Sequence, residues 1–173
     1  MLRSALVVPV PSAAPIVDPW REKTCADRPS IGIPAHVTIL FPFAAASEID
    51  DMTISRLRTT FEPFESFRFL LRHTGRFPTT LYLAPEPPDT FVRLTEAIVG
   101  EYPEYPPFGG AFDTIVPHLT VAHGTLEVLS RVEVEVRRAL PVESEAREVL
   151  LLVEVEPDWG RWTMRERFAL RRD

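Results

Sequence analysis

The chain has 173 residues, of which 45% are hydrophobic and 25% are charged, a balance typical of one folded domain. No apolar run approaches the ~20 residues of a membrane-spanning helix, and the run from Ala5 to Val10 is too short for a signal sequence. The net charge of −6 argues against binding long duplex nucleic acid through its phosphates. We therefore expect one cytoplasmic domain over residues 1–173, with neither a membrane nor a duplex as partner.

Apolar periodicity and the positions of the prolines predict the elements of the first half of the chain. The predicted strands are Ala5–Val10, His36–Phe41, Phe67–Arg76 and Thr80–Leu83. One short helix is predicted around Pro15–Ala26, followed by a loop over Pro29–Pro34. A second helix begins among the helix-start residues 47–51, and its apolar face carries Ile54, Leu57 and Phe61.

The second half of the chain repeats this alternation. A helix is predicted from an apolar stripe that comprises Phe91, Leu94, Ile98 and Tyr102, and a loop follows over 103–117. The predicted strands are His118–Ala122, Val149–Val155 and Trp162–Leu170, the last two joined by a turn at 158–160. The segment Thr125–Leu140 alternates like a strand in its middle, but its length and charge favour a helix.

The predicted order of elements is β-α-β-α-β-β-α-β-α-β-β. Strands alternate with helices, but two hairpins, at 67–83 and 149–170, imply antiparallel pairing. This mixture predicts an α+β fold. Because the pattern of the first half recurs in the second, the sequence also indicates two related halves packed as one unit.

Two matching segments stand out in this pattern. The first reads Pro-Ala-His-Val-Thr-Ile over 34–39, and the second reads Val-Pro-His-Leu-Thr-Val over 116–121. Side chains alternate between the faces of a strand, so His36 and Thr38 share one face, and His118 and Thr120 do the same. The aliphatic residues between them anchor each strand in the core. Two strands with the same polar pair favour one shared cleft.

Two imidazoles and two hydroxyls suit in-line displacement at a phosphodiester. Histidine titrates near neutral pH, so one ring can accept a proton while the other donates one. Threonine hydroxyls can donate hydrogen bonds to the non-bridging phosphate oxygens, where negative charge builds up in the transition state. We expect this chemistry to use no metal, because a protonated imidazole supplies positive charge.

Two other interpretations compete with a catalytic pair. A single His-x-Thr is more often a structural hydrogen-bonding pair, but two copies in equivalent contexts favour a joint site. The second alternative is zinc, because imidazole is a common zinc ligand. The sequence, however, has four histidines and one cysteine, without a Cys-x-x-Cys or a His-Glu-x-x-His pattern. We interpret that cysteine, Cys25, as an ordinary thiol in a reducing compartment.

The paired His-x-Thr segments, 82 residues apart, resemble those of the 2H phosphoesterase superfamily, above all its 2′-5′ RNA ligase and cyclic phosphodiesterase branch. Segments 77–83 and 105–110 also look like bacterial members of that branch. The resemblance implies a bilobal fold with pseudo-twofold symmetry, in which two interleaved lobes face a central groove. It also implies that His36 and His118 are the acid–base pair, in an order left open, and that Thr38 and Thr120 bind the phosphate.

The activities implied by the resemblance are hydrolysis of 2′,3′-cyclic phosphates, hydrolysis of ADP-ribose cyclic phosphate and reversible 2′-5′ RNA joining. The acidic charge favours a nucleotide or an RNA end as the partner. Arginine matches phosphate geometry and aromatic rings stack on bases, so Arg76, Tyr82 and Phe108 join the predicted substrate-binding residues, with Phe77 and Tyr105 as further stacking candidates. We expect a monomer without a cofactor. The alternative is a non-catalytic module that binds a nucleotide or an RNA end in the same cleft.

Overall fold

The computed structural model describes residues 2–24, 31–111, 114–156 and 160–172. Within these ranges the strands are β1 (Ser4–Pro9), β2 (His36–Leu40), β3 (Phe67–Phe77), β4 (Thr80–Glu86), β5 (Leu119–His123), β6 (Val142–Ala146), β7 (Glu148–Glu156) and β8 (Arg161–Ala169). The helices are α1 (Ala14–Thr24), α2 (Asp51–Phe61), α3 (Asp89–Glu101) and α4 (Leu126–Arg137). The predictions for Cys25, Ala26, Pro29 and Asp158 concern residues outside the described ranges.

The strands form two four-stranded sheets. The first has the order β2-β1-β7-β8 and the second the order β5-β4-β3-β6. Each pair of neighbouring strands is antiparallel, including the two predicted hairpins, β3–β4 and β7–β8. The expected α+β class with antiparallel sheets is therefore confirmed.

The helices exchange partners between the two sheets. Helix α1 follows β1 of the first sheet but packs on β5 of the second, next to α4. Conversely, α3 follows β4 of the second sheet but packs on β2 of the first, next to α2. In each half of the chain, the first helix therefore packs on the sheet that does not contain the strand before it. Together with the two sheets, this exchange gives the duplicated α/β arrangement of two related halves that the repeated element order indicated.

Each sheet has one face against its helices and one face, here called the cleft face, on the opposite side. In β1, Leu6 and Val8 belong to the main core with the helices. Ala5 and Val7 point the other way, into a small cluster with Leu152 and other residues on the cleft face of the first sheet. The period-two alternation of a strand therefore separates structural side chains from those that line the cleft.

Local sequence explains how the helices begin and which face they bury. Helix α2 is capped by the Asp50 carboxylate, which accepts a hydrogen bond of 2.8 Å from the backbone N–H of Thr53. In α4 the buried residues Leu129, Val132 and Val136 recur at helical spacing, so the ambiguous segment is a helix, as its length favoured. Within the described ranges, the helices lack the combination of length and apolar content that crossing a membrane requires.

Strand β6 was not predicted. Its sequence, Val-Glu-Ser-Glu-Ala, buries the first and last residue and leaves the three central polar residues partly or fully exposed. It pairs with β3 alone, at the edge of the second sheet. An edge strand is held by backbone hydrogen bonds on one side and needs few apolar residues, which explains why hydrophobic periodicity did not reveal it.

Candidate active site

His36 begins β2, and the backbone just before the strand fixes its ring. Its Nδ1 lies 2.7 Å from the carbonyl oxygen of Pro34. Because a carbonyl oxygen can only accept, Nδ1 carries the proton, and the neutral ring presents Nε2 as an acceptor. The half-buried ring is therefore held in one tautomer with its reactive nitrogen pointing away from its own backbone.

His118 directly precedes β5 and is held in the same way. Its Nδ1 lies 2.7 Å from the carbonyl oxygen of Val116, again two residues upstream. The second imidazole therefore also presents Nε2 as an acceptor when it is neutral. The same local hydrogen bond, to the carbonyl oxygen two residues upstream, therefore fixes the histidine ring in both halves of the chain.

The fold brings these two histidines together. Strands β2 and β5 are edge strands of the two sheets, and they contact each other. A positive charge on His118 contributes to lowering the pKa of His36, which requires that the two rings lie close enough to interact. The two imidazoles therefore lie near the adjoining edges of the two sheets.

Burial sets the protonation of both rings. It lowers the pKa of His36 to about 4, against the bond to Pro34, and the charges of Arg21 and His118 lower it further. Burial also lowers the pKa of His118, again against its backbone bond, and the charge of His123 adds to this effect. Both imidazoles are therefore neutral near pH 7, and a bound anion would raise both pKa values.

The two threonines share the cleft faces with the histidines. Thr38 stands opposite Val7 of β1, and Thr120 stands opposite Tyr82 of β4. Residues directly opposite in a sheet project to the same face. Both threonines are half-buried, and among the described residues neither hydroxyl has a hydrogen-bond partner. Both hydroxyls are thus available to a ligand between the sheets.

Three aromatic rings surround His118. Phe77 meets it edge-on with ring centroids 5.1 Å apart, and Tyr82 lies 5.5 Å from it. Phe108 stacks on it at 6.1 Å with an angle of 25° between the planes. Phe77 and Tyr82 also contact each other at 4.6 Å. The structure therefore places the predicted residues Tyr82 and Phe108 beside His118, together with Phe77.

Phe108 also connects the two lobes through its backbone. Its N–H donates a hydrogen bond of 2.8 Å to the carbonyl oxygen of Phe41, just after β2, while its ring lies on His118 of the other lobe. Its φ of 52° lies in the left-handed region, which is strained for a residue with a bulky side chain.

Arg76 is not part of this cleft, contrary to the sequence prediction. Its neighbours Gly75 and Phe77 face Tyr82 and His118, so alternation along the strand sends Arg76 to the helix side. There its Nε donates a hydrogen bond of 3.0 Å to Glu133 of α4, and the two side chains form an ion pair. Arginine in a strand could have faced either side, and this one faces away from the histidines.

Tyr105 also lies away from the predicted stacking surface. Its ring contacts Phe43, with centroids 5.2 Å apart, and it packs against the main core. Sequence reasoning took it as a stacking candidate because it lies in an aromatic loop with Phe108. The structure divides that loop, placing Tyr105 on the core and Phe108 on the cleft.

Two residues near the site were missed by sequence reasoning. Arg21 of α1 adds positive charge near His36 and donates a hydrogen bond of 3.4 Å to the carbonyl oxygen of Ile33, beside the segment that fixes His36. Its sequence context, an i,i+3 pair with Asp18, is that of an ordinary surface helix. Gly75 lies under the Tyr82 ring. A glycine inside a predicted strand is the signal that could have indicated this close approach.

A metal-binding cluster is not seen in the described ranges, where His, Cys, Asp and Glu side chains do not gather in threes. In both histidines Nδ1 donates a hydrogen bond to a backbone carbonyl oxygen, so Nε2 is the atom available to a ligand.

Comparisons with known proteins agree with this geometry. Residues 8–158 match the family described as the 2′-5′ RNA ligase superfamily. TT0787 of Thermus thermophilus is 23% identical, with a TM-score of 0.67 and coverage of 99% of both chains. Apo LigT of E. coli is 18% identical, with a TM-score of 0.66 over 98% of this chain and 97% of that chain.

LigT of E. coli complexed with 3′-AMP has the same fold, at 17% identity and a TM-score of 0.63 over 98% of both chains. A sequence search of curated proteins finds no match. Since the family match spans most of the sequence and the likeness of fold spans nearly all of it, the chain belongs to the 2′-5′ RNA ligase superfamily of the 2H phosphoesterases.

Proposed function

We propose that this protein is a metal-independent phosphodiesterase that hydrolyses a 2′,3′-cyclic phosphate, or makes and breaks a 2′-5′ phosphodiester, at the end of a nucleotide or RNA. One observation carries the proposal. His36 and His118 are each held through Nδ1 by a carbonyl oxygen at 2.7 Å, on strands that contact each other. In this proposal the two Nε2 atoms take positions on either side of one phosphate.

In hydrolysis, the neutral histidine accepts a proton from a water molecule as the water oxygen forms a bond to phosphorus. The bond from phosphorus to one ribose oxygen breaks, and the protonated histidine donates its proton to that leaving oxygen. One proton is taken up and one is released, so the products are a phosphomonoester and a free hydroxyl. A ribose 5′-hydroxyl in place of water would give the joining reaction by the same proton transfers.

His36 is the better candidate for the base. Burial lowers its pKa to about 4, so it enters the reaction unprotonated, and the negative charge of the phosphate raises its basicity on binding. His118 then holds the proton for the leaving oxygen. Its ring lies among aromatic side chains. The electron-rich faces of aromatic rings attract cations, so such neighbours stabilise the protonated imidazole better than aliphatic side chains would.

The threonines and the aromatic rings have complementary tasks in this proposal. Thr38 and Thr120 donate hydrogen bonds to the non-bridging oxygens, where charge accumulates in the transition state. Tyr82 stands opposite Thr120, whereas the equivalent position opposite Thr38 is Val7. This difference between the lobes orients the substrate, with its base stacked on the His118 side. A LigT structure with 3′-AMP supports a nucleotide as the ligand.

The test is turnover of 2′,3′-cyclic nucleotides, ADP-ribose cyclic phosphate and 2′-5′ dinucleotides, in the presence of EDTA. His36→Asn and His118→Asn keep an N–H donor near the Nδ1 position but lack Nε2. Each should lower kcat by about 10²- to 10⁴-fold, the range of a lost general acid or base. Thr38→Val and Thr120→Val should lower kcat less, by about tenfold or more. His73→Asn is the control, because the His73 side chain is exposed and pairs with Glu86.

Three results would contradict this function. Unchanged turnover in either active-site His→Asn variant would exclude the two-histidine mechanism. Loss of turnover with EDTA would indicate a metal site. Binding of the nucleotides by calorimetry, with no product formed from any of them, would identify the chain as a binding module.

A further inference from the structure

A second aromatic cluster lies on the cleft face of the first sheet, away from His118. The guanidinium carbon of Arg3 stands 5.5 Å from the ring centre of Phe41 and 5.7 Å from that of Trp162. The two rings themselves meet edge-on at 6.2 Å. Arg3 thus covers two aromatic rings at once, at distances suited to cation–π attraction. We call Arg3, Phe41 and Trp162 the outer platform.

Glu154 fixes the orientation of the Arg3 guanidinium. Its carboxylate accepts hydrogen bonds from Nε at 3.0 Å and from Nη2 at 2.7 Å, and the backbone N–H of Arg3 adds a third bond at 3.2 Å. Glu154 is 1% exposed, whereas the Arg3 side chain is 53% exposed. The bidentate pair therefore holds a flat cation in one plane while half of its side chain faces solvent.

The outer platform shares a sheet face with His36 and is linked by a backbone hydrogen bond to a residue at His118. Phe41 and Trp162 belong to the cluster on the cleft face of the first sheet, the face that carries His36. The carbonyl oxygen of Phe41 accepts the N–H of Phe108, and the ring of Phe108 stacks on His118. A backbone hydrogen bond thus links Phe41 of the outer platform to the residue whose ring stacks on His118.

We propose that the outer platform stacks the base of the nucleotide next to the reacting one, so that the substrate is an RNA end of at least two nucleotides. The inference rests on the proposed function. A 2′,3′-cyclic phosphate can only end a strand, so the additional nucleotide lies on its 5′ side. Because Glu154 neutralises Arg3, the platform suits a base rather than a phosphate, and guanidinium planes and aromatic rings both stack on bases.

The experiment compares kcat/KM for adenosine 2′,3′-cyclic phosphate with that for the dinucleotide ApA ending in a 2′,3′-cyclic phosphate. The wild type should prefer the dinucleotide by about tenfold or more, the gain expected from one stacked base. Arg3→Met should bring the preference close to one and leave the mononucleotide rate within about twofold. The double variant Arg3→Met/Glu154→Met removes both charges together, so it reports the same loss if Arg3→Met alone folds poorly.

Arg58→Met is the matched control. Arg58 also lies over an aromatic ring, that of Phe168 at 5.8 Å, and pairs with Glu166, but it belongs to α2 on the helix side of the first sheet. This variant should keep the wild-type preference for the dinucleotide.

Turnover of the mononucleotide without any preference for the dinucleotide would overturn the outer platform and leave the proposed function standing. Equal losses on both substrates in Arg3→Met and the double variant would also overturn it, because they would indicate a structural role. If the wild type turns over neither substrate, the cyclic-phosphate activity in the proposed function fails, and the ratio of the two dissociation constants by calorimetry decides about the platform. A ratio near one would then overturn it.

Discussion

The ring of Tyr82 lies directly over the Cα of Gly75. A Cβ added at residue 75 would stand 2.3 Å from Cζ of Tyr82 and 2.5 Å from its hydroxyl oxygen, which is far inside van der Waals contact. Gly75 and Tyr82 are opposite each other in β3 and β4. The absence of a side chain at residue 75 therefore allows the tyrosine ring to lie flat on the sheet, beside His118.

Gly75→Ala should displace the Tyr82 ring from His118. We expect KM for a cyclic nucleotide to rise about fivefold or more, the effect of a weakened stacking surface, and stability to fall by about 1–3 kcal/mol, as for other overpacked sites. Gly100→Ala is the control, because a Cβ at Gly100 in α3 meets nothing within 4 Å. It should stabilise the protein by about 0.5–1 kcal/mol. Wild-type kinetics in Gly75→Ala would show that the position of Tyr82 is unimportant.

The lowered pKa of His36 predicts how stability depends on pH. Its pKa of about 4 in the folded protein is below the value of about 6.5 in an unfolded chain. The unfolded state therefore binds more protons between these values, and the free energy of unfolding falls as pH decreases from about 6.5 to about 4. The contribution of His36 is fully present above this window, and its loss approaches about 3 kcal/mol below it.

Urea unfolding of wild type and His36→Asn between pH 4 and pH 7.5 measures this effect. The difference in unfolding free energy between the two proteins should shrink as pH falls through the window, because the variant has no imidazole to protonate. Gly100→Ala, which removes no titratable group, should give a curve parallel to that of wild type. A His36→Asn curve that is also parallel would mean that folding does not lower the pKa of the imidazole.

Arg76 should contribute to stability and not to catalysis. Its guanidinium donates hydrogen bonds to Glu133 and, at 3.1 Å, to Ser130, both on α4. Arg76→Gln should lower stability by about 1 kcal/mol, the size of a partly exposed ion pair, and leave kcat/KM within twofold of wild type. Chemical denaturation and steady-state kinetics on one preparation check both values. A tenfold fall in kcat/KM would place Arg76 at the substrate after all.

The catalytic candidates were predictable because their signal is local. His36 and Thr38 lie two residues apart in a strand, and alternation alone places them on one face; the second copy implied a shared cleft. The sheet face to which a side chain points was harder to predict where both faces of a strand accept polar residues. Arg76 follows Gly75 in the same strand and points the other way, which depends on where α4 packs and not on the residue itself.

Contacts between segments that are distant in the sequence could not be predicted from it. Arg3 and Glu154 form a bidentate pair across 151 positions, and neither lies in a recognisable motif. The conformation of Phe108 is equally non-local, because its left-handed φ accompanies a backbone hydrogen bond to Phe41 in the other lobe. Such features depend on how the two sheets are joined, and hydrophobic periodicity contains no information about that.

Replacing Phe108 should weaken substrate binding with little effect on stability. Its φ of 52° costs of order 1–3 kcal/mol for a residue of this kind, and glycine or asparagine adopts that conformation more readily. Phe108→Gly and Phe108→Asn therefore remove strain together with the ring that stacks on His118. We expect their stability to stay within about 1 kcal/mol of wild type, while KM for a cyclic nucleotide rises about fivefold or more.

Phe77→Ala separates the two effects. Phe77 also contacts His118, but its φ is not in the left-handed region, so its truncation removes ring contacts without relieving strain. This variant should lose stability as well as substrate affinity, by about 1 kcal/mol or more on unfolding. Thermal denaturation and steady-state kinetics of the three variants are the measurement. If Phe108→Gly loses as much stability as Phe77→Ala, the left-handed conformation is not strained, and the Phe108 ring stabilises the join between the lobes instead.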